Sequence, residues 1–178
     1  MTVLSPFSAE LSVQVDLFTA DHLARGTVSV PRGQRVTDVL NNHHESIVML
    51  TDVELTRLLI PQPRPTHADV LRVAKETILC AIPINEPEPE TIRERSGKFV
   101  PKQVYNVIIT LPGFEIHGAL HLPQGTKLRS IFDVISYAFV PVTRPQIHYL
   151  FDSRRQFDTP VVIVNKPRIQ FFLTIGEK

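Results

Sequence analysis

The chain of 178 residues contains no tryptophan, one cysteine and only seven glycines. A single cysteine excludes a disulfide within the chain. Because Cys80 stands in the apolar run Ile78–Ile82, we expect a buried, inert thiol. No apolar run approaches the roughly 20 residues of a membrane-spanning helix, and Met1–Phe7 lacks the charged and apolar regions of a signal peptide. We therefore expect a cytoplasmic protein that does not enter a membrane.

Sequence motifs of common enzymes are missing as well. The chain has no G-x-x-x-x-G-K-(S/T), G-x-G-x-x-G, G-x-S-x-G or H-E-x-x-H pattern. Its few glycines leave no glycine-rich loop to hold a phosphate, and paired carboxylates at helical spacing are not found. We therefore predict a protein that is not an enzyme and needs no cofactor.

The charges balance overall but not locally. A net charge of +1 argues against a dedicated nucleic-acid binder. Residues 1–84 hold seven Lys or Arg and nine Asp or Glu, whereas residues 104–178 hold eight and five. The first part therefore carries −2 and the last +3. Opposite signs favour docking of one part on the other.

The sequence repeats itself at an offset of 92 residues. Turn-forming residues and apolar residues recur together, among them Gly26 and Gly118, Pro31 and Pro123, Gly33 and Gly125, and Val28 and Leu120. After Leu58 and Leu150 the offset becomes 91, so we place a one-residue length difference near the proline-rich loop 61–67. Such a period indicates two copies of one structural unit.

The repeat divides the chain into four segments. We assign residues 1–10 to an N-terminal extension, 11–85 to the first copy, 86–103 to a linker rich in proline and glutamate, and 104–178 to the second copy. The linker composition is typical of a semi-rigid spacer between domains. It fits equally well a surface loop joining two halves that are docked on each other.

Each copy has the pattern strand, strand, short helix, strand, strand, strand. Apolar residues alternate in the strands and follow helical spacing at 36, 39 and 40, and at 128, 131, 132 and 135. We predict a mainly β protein with two tandem copies of a small five-stranded barrel-like or roll-like unit, each with one short helix. In the second copy, prolines 141 and 145 are expected to interrupt the third strand.

Two kinds of turn are predicted in each copy. Val-Pro-Arg-Gly and Leu-Pro-Gln-Gly place proline second and glycine fourth, as in a type I turn, with the turn residues Pro31, Gly33, Pro123 and Gly125. The last two strands of each copy flank the polar residues 74–77 and 165–168. They predict a hairpin at the end of each copy.

The pattern G-x-(V/L)-x-(V/L)-P-x-G, a short helix and an apolar strand ending in Thr resembles a bacterial domain of unknown function, present here as two tandem copies. That domain has an Asp-x-Leu-Asn stretch in its helix and an Asn-Lys turn near its end. Asp38–Asn41 matches the first and Asn165-Lys166 the second, whereas Ser130–Asp133 departs from the pattern. The resemblance implies no established activity.

Basic residues of the second copy form the candidate binding site. Arg154 and Arg155 lie between two apolar strands, and arginine pairs bind phosphates and carboxylates through forked hydrogen bonds. An exposed loop with a local Asp152–Arg pair is the structural alternative. A nucleic-acid-binding β-barrel would use Arg144, Arg154, Arg155, Lys166 and Arg168.

The histidines do not predict a metal site. His117 and His121 fall in a strand, where residues four apart are separated by about 13 Å. One zinc needs ligands at about 2 Å, so the pair is too wide. His43 and His44 are assigned to a polar loop. A metalloenzyme using these four histidines is the weakest of the alternatives.

The shared residues of the two copies are turn and core formers. They predict a non-catalytic binding, scaffolding or assembly module whose surface is a strand edge or the interface between the copies. We expect a protein partner or self-association rather than a nucleic acid or a membrane. Because duplication imitates a homodimer within one chain, pseudo-twofold packing of the two halves is the first expectation.

Overall fold

The computed structural model describes residues 10–60, 64–87, 101–127 and 135–175. Within them, the first half forms strands β1 to β5 with helix α1, and the second half forms strands β6 to β11. A 3-10 helix follows the fourth strand and another the tenth. The bounds are β1 Glu10–Phe18, β2 His22–Pro31, α1 Val36–Leu40, β3 Ile47–Arg57, β4 Thr66–Ala74, the first 3-10 helix Lys75–Thr77, β5 Cys80–Ile84, β6 Lys102–Leu111, β7 Phe114–Pro123, β8 Phe139–Tyr149, β9 Gln156–Phe157, β10 Val161–Asn165, the second 3-10 helix Lys166–Arg168 and β11 Phe171–Ile175.

Three predicted segments lie wholly or mostly outside the described residues. They are residues 1–9 of the N-terminal extension, residues 88–100 of the linker and residues 128–134 of the second predicted helix.

All eleven strands belong to one antiparallel sheet. The strand order is β11-β6-β7-β8-β10-β5-β1-β2-β3-β4, and β9 pairs with β8 beside this path. The prediction of a mainly β protein with little helix is confirmed. The two ends of the order, β11 and β4, do not pair with each other in the described part of the chain, so the sheet is not closed. A barrel-like shape is therefore not confirmed.

The predicted hairpins at the end of each half are wrong. Strand β5 pairs with β1 and β10, whereas β4 pairs with β3. In the second half β11 pairs with β6, and β10 pairs with β8. The cause is the connection: a 3-10 helix and the fully buried Ile78 place β5 beside β1, on the side opposite β2.

The predicted interruption of β8 is also wrong. Strand β8 runs from Phe139 to Tyr149, with Pro141 opposite Ile163 of β10. Strand β7 pairs with β8 only from Thr143 onward, so the missing N–H of Pro141 costs no bond to β7. Pro145 falls at a register shift, where the ladder is already irregular.

The proline turns differ from the predicted type. The N–H of Gln34 donates to the carbonyl of Pro31 at 3.0 Å, so Gly33 is the third residue of the turn. Its φ of 80° is the left-handed value that the third position of a type II turn requires. In the second half Thr126 donates to Pro123 at 3.2 Å, and Gly125 has a φ of 83°.

Two apolar cores lie on opposite faces of the sheet. Strand β5 is central and buried on both faces. Cys80 and Ile82 point into one core together with most of the buried side chains of the second half. Ala81 points the opposite way, into the core formed by the first half. Side chains alternate between the faces of a strand, so the cores lie on opposite sides.

Each core takes side chains from the other half. The second-half core contains residues of the first half, among which Phe18 packs edge-on against Phe114 with ring centroids 5.3 Å apart. The first-half core in turn contains Phe139 and Ile163. The halves are therefore joined by pairing and by packing. The first-half residues in the second-half core are Phe18, Leu58, Leu79, Cys80 and Ile82.

No helix in the described ranges has both the length and the apolar character needed to cross a membrane.

Candidate functional site

The seam between the halves is the pairing of β10 with β5. Ile163 lies opposite Ala81, and Val164 opposite Cys80. Next to them the backbone N–H of Asn165 donates to Leu79 O at 3.0 Å. Its buried side-chain amide donates to Ile78 O at 2.7 Å and to Lys75 O at 3.3 Å. Asn165 therefore fastens the end of β10 to the segment that enters β5.

A second amide fastens the seam from the first half. Asn41, directly after α1, donates from its side-chain Nδ2 to Phe139 O at 2.8 Å. Its Oδ1 accepts from Phe139 N at 2.9 Å. Two hydrogen bonds in opposite directions fix the start of β8, so Phe139 is held in the first-half core.

A groove of about 700 Å³ lies over this seam. Among its lining residues, Lys75 donates from Nζ to the carbonyls of Val39 and Asn42 at 2.8 and 3.0 Å. Burial lowers the pKa of Lys75. Because the ammonium of Lys75 is occupied by these two carbonyls, it supports the end of α1 rather than offering a free charge to a ligand.

The single thiol lies in the seam itself. Cys80 is buried, and burial raises its pKa to about 12. A thiol needs its ionised form to act as a nucleophile. At neutral pH this side chain therefore acts as an apolar packing group.

The two free edges of the sheet differ in chemistry. Strand β11 pairs with β6 alone among the described strands, and its side chains at Phe171, Leu173 and Ile175 are all exposed on one face. Strand β4, at the opposite end, pairs with β3 alone within the described ranges and exposes the charged Asp69 and Arg72. An exposed apolar edge is a template for pairing with another chain.

The sequence offset relates these edge residues to residues of the seam. Leu58, Cys80 and Ile82 are 4, 1 and 6% exposed. At offsets of 92 and 91 they correspond to Leu150, Phe171 and Leu173, which are 59, 69 and 58% exposed. Three residues of the first half are thus buried in the second-half core. The residues at the equivalent positions of the second half are also apolar, but they are exposed.

The predicted basic residues are distributed along the second half. Arg154 is 88% exposed and pairs with Asp152 at 2.9 Å, which lowers the pKa of that carboxyl. Arg155 lies 4.0 Å from Asp152 and over the Tyr149 ring. Arg144 occupies a left-handed position in β8, with a φ of 50°.

Lys166 and Arg168 lie at the seam instead. Lys166 donates from Nζ to Ile135 O, and Arg168 donates from Nε to Glu76 O of the first half. Lys166 and Arg168 follow the end of β10 that lies beside Phe139, the first residue of β8. Arg154 and Arg155 come after Tyr149, the last residue of β8. The ten residue-to-residue steps along β8 separate its two ends by about 33 Å. The structure therefore does not bring the five basic residues into one patch.

The histidines have separate partners. His117 Nε2 lies 2.7 Å from Glu115 Oε1, and His121 Nε2 lies 2.8 Å from Thr143 Oγ1. His43 and His44 are exposed in the loop after α1. In the ranges that the structure covers, no three His, Cys, Asp or Glu side chains are grouped as a metal would require.

Sequence reasoning missed the amides and the edge. The sequence marks Asn165 only as part of an Asn-Lys turn and Asn41 only as part of an Asp-x-Leu-Asn stretch, because a hydrogen bond across about 90 residues leaves no local pattern. The segment 169–175 was predicted as a strand, but its exposure depends on which strands pair beside it. The only available signal was its apolar alternation at positions 171, 173 and 175.

Comparison with protein-family models, with curated proteins and with solved structures found no match to this chain.

Proposed function

We propose that the chain is a non-catalytic assembly module built from two copies of one rolled five-strand unit, and that it binds protein through the free edge of β11. The observation that carries the proposal is the exposed apolar face of this edge strand, Phe171, Leu173 and Ile175. Natural proteins normally protect such edges with charge, proline or a covering segment. An edge left apolar is suited to addition of a further strand.

The pairing registers support two equivalent units. Val15 pairs with Gly26 as Val107 pairs with Gly118. Phe18 lies opposite Cys80 as Thr110 lies opposite Phe171, with the offset now 91 in the last strand. The same two offsets that relate the sequences therefore relate the residues that lie opposite each other in the sheet.

Backbone irregularities support the same equivalence. Each half has a register shift around a glycine, between Arg25 and Thr27 and between His117 and Ala119. Asp52 and Arg144, 92 residues apart, both have a positive φ, of 51 and 50°. A left-handed non-glycine residue is uncommon, so its recurrence at one offset favours one unit used twice.

A short connection supports the rolled shape. By register, β4 ends level with the start of β1, whereas β5 begins level with the end of β1. In a flat sheet these points would be about 27 Å apart along the strands. The six steps from Ala74 to Cys80 span at most about 20 Å. This difference favours a unit whose five strands tilt and curl.

Within this scheme the halves are joined head to tail. A pseudo-twofold arrangement would pair β5 with its equivalent β11, or β4 with its equivalent β10, or would pair β11 with β4 as well as β5 with β10. In the described part of the chain β5 pairs with β10, whereas β11 and β4 do not pair with each other. The strand pairing therefore lacks the second contact that a twofold requires, and each unit presents a different edge to its neighbour.

Differential capture tests the proposed function. Tagged wild-type chain and tagged chain with Phe171→Lys and Leu173→Lys would be incubated with extract of the native cells, and the retained proteins quantified. We expect proteins that bind the wild type to be lost from the edge variant but kept by Arg154→Ala with Arg155→Ala, the matched surface control. Equal capture by the wild type and the edge variant would reject the proposal.

The same experiment separates the nucleic-acid alternative. Nucleic acid retained at low salt by the wild type and lost from the double arginine variant would favour that function instead.

A further inference from the structure

We propose that the partner of the β11 edge is a second copy of this chain, whose β4 pairs with β11 as β10 pairs with β5 inside one chain. This inference rests on the proposed assembly function and names its partner. It commits to a head-to-tail contact, because the two edges left unpaired in the described sheet are the equivalents of the two edges joined at the seam.

The seam supplies the register of the new contact. Transferring Val164 opposite Cys80 by the offset of 91 places Val73 of one chain opposite Phe171 of the next. Likewise, Arg72 comes to lie opposite Phe172. The hydrogen bond from Asn165 N to Leu79 O becomes one from Ala74 N to Gln170 O.

The burial pattern favours this partner over an unrelated strand. Leu58, Cys80 and Ile82 extend into the core of the adjoining half, and their equivalents Leu150, Phe171 and Leu173 are apolar and exposed. Large apolar side chains at these three equivalent positions contribute nothing to a surface that stays in contact with water. Seated on the first half of a second copy, they would meet a core of the kind that their equivalents already fill.

The receiving edge has a matching position. Phe139 is buried in the seam, inside the core of the adjoining half, whereas its equivalent Ile47 is 46% exposed. Val162 and Val164, which line the seam, correspond to the apolar Leu71 and Val73 of β4. The first half therefore presents the apolar residues that a β11 edge needs.

The relation between the halves predicts open growth. Both halves have the same lateral order of strands, but β10 and β5 run antiparallel. One half is therefore related to the other by a half-turn about an axis lying in the sheet and across the strands. Such a half-turn moves the core to the opposite face, as observed. Repetition along that axis adds chains in one direction without closing.

Charge supports the contact at long range. The first part of the chain, residues 1–84, carries −2, and residues 104–178 carry +3. A head-to-tail contact brings the last part of one chain to the first part of the next. Opposite signs speed such encounters, and added salt weakens this effect.

Two differences between equivalent residues of the halves make the contact between chains weaker than the seam. Ala74 stands where Asn165 would donate its side-chain hydrogen bonds. The exposed Arg72 stands where Ile163 is buried. A charged edge residue hinders uncontrolled pairing. We therefore infer reversible association that depends on protein concentration.

End-blocked variants test the inference. Phe171→Lys with Leu173→Lys blocks the β11 edge at exposed positions. Arg72→Pro blocks the β4 edge. Backbone N–H groups alternate between the two sides of a strand, so the N–H of residue 72 points to the free edge, as that of Ala74 does. Proline removes this N–H without removing a hydrogen bond to β3. Sedimentation velocity would follow the purified full chains over a wide range of concentration, with circular dichroism and melting temperature confirming that each variant is folded.

The expected results distinguish the possible edges. Wild-type chain should form assemblies that grow steadily with concentration. Each blocked variant should stay monomeric, and their mixture should form a dimer and nothing larger, since it offers one free edge of each kind. Dimers of either blocked variant alone, or a wild-type monomer at every concentration, would overturn the inference. A monomeric wild type that still shows edge-dependent capture from extract would leave the proposed function standing.

A gain of association provides a second readout. Arg72→Ile restores the residue type of the seam and should tighten self-association about tenfold or more, as expected for one buried isoleucine. Combined with the β11 block, it should be monomeric again. Aggregation that persists in this combination would show non-specific adhesion and overturn the assigned contact.

Discussion

Strands β5 and β11 occupy the same place in the two halves, beside β1 and β6, but have opposite surroundings. Strand β5 is buried on both faces although it contains a cysteine, an alanine and a proline. Strand β11 contains two phenylalanines, a leucine and an isoleucine, yet its Phe171 is 69% exposed. The more apolar strand is the exposed one. The burial of a strand therefore depends on what pairs at its edge as much as on its own residues.

The largest contrast is expected from the same charge placed in either strand. Ile82→Lys puts an ammonium into the second-half core, and we expect a loss of about 4 kcal/mol or more, enough to prevent folding. Leu173→Lys, at the equivalent exposed position, should change the unfolding free energy of the dilute monomer by about 0.5 kcal/mol at most. Urea unfolding measures both. Similar losses would refute the assigned difference between the strands.

The two strand glycines, Gly26 and Gly118, have different room for a side chain. A Cβ at residue 118 would meet Val142 Cγ1 at 2.5 Å, whereas at residue 26 the nearest atom is Thr51 O at 3.1 Å. We expect Gly118→Ala to cost about 3 kcal/mol and Gly26→Ala about 1 kcal/mol, because the closer contact at residue 118 forces a larger shift of the surrounding atoms. Unfolding curves of the two variants, measured side by side, check the order. The reverse order would contradict the packing around β8.

Asn165 distinguishes the seam from the free β4 edge. Asn165→Ala leaves the buried carbonyl of Ile78 without its donor, and we expect a loss of about 2 kcal/mol. Ala74→Asn, at the equivalent position, should leave the stability of the dilute monomer nearly unchanged. Chemical unfolding at low protein concentration measures both effects. A neutral Asn165→Ala would mean that the amide does not fasten the seam.

The contribution that is negligible at neutral pH is the pH dependence of the seam thiol. Cys80 has a pKa of about 12 when folded and an ordinary value of 9.0 when unfolded. The unfolded chain therefore loses this proton first, and stability falls as the pH rises from about 9 to about 12, by about 1.4 kcal/mol per unit. The difference between wild type and Cys80→Ala isolates this contribution. A constant difference across that pH window would place the thiol in water.

Local patterns predicted the strands because alternation needs only neighbouring residues. The period-two runs around Val13 and Val28 became β1 and β2, and the spacing of Val36, Val39 and Leu40 became a short helix. The last two strands of each half were misassigned as hairpins because a short polar connection looks alike in a hairpin and in a crossover. The burial of Ile78 distinguishes the crossover from a hairpin, and this burial is seen only in the folded core.

The candidate site was less accessible to sequence reasoning. The sequence predicted a site at a strand edge or between the halves. It identified the kind of surface but none of its residues. Phe171 could be recognised as apolar, not as exposed, because the pairing of β10 with β5 is set by contacts remote in sequence. The sequence indicates the arginines as the binding site, Arg154 above all, because basic residues are concentrated there. In the structure Arg154 pairs with its neighbour Asp152.

The most direct measurement of the head-to-tail account is a disulfide at the predicted register. In a Cys80→Ala background, one chain would carry Val73→Cys and the other Phe171→Cys. At such a non-hydrogen-bonded antiparallel pair the Cα atoms are about 4.5 Å apart, within disulfide range. Val164→Cys with the native Cys80 is the control inside one chain, since these residues are already opposite each other. Val70→Cys, three residues away, is the control for register.

We predict that mild oxidation links residues 73 and 171 of different chains rapidly, and residues 70 and 171 far more slowly. Equal rates for the two positions, or a link only between two residues 171, would rule out the head-to-tail pairing of β4 with β11.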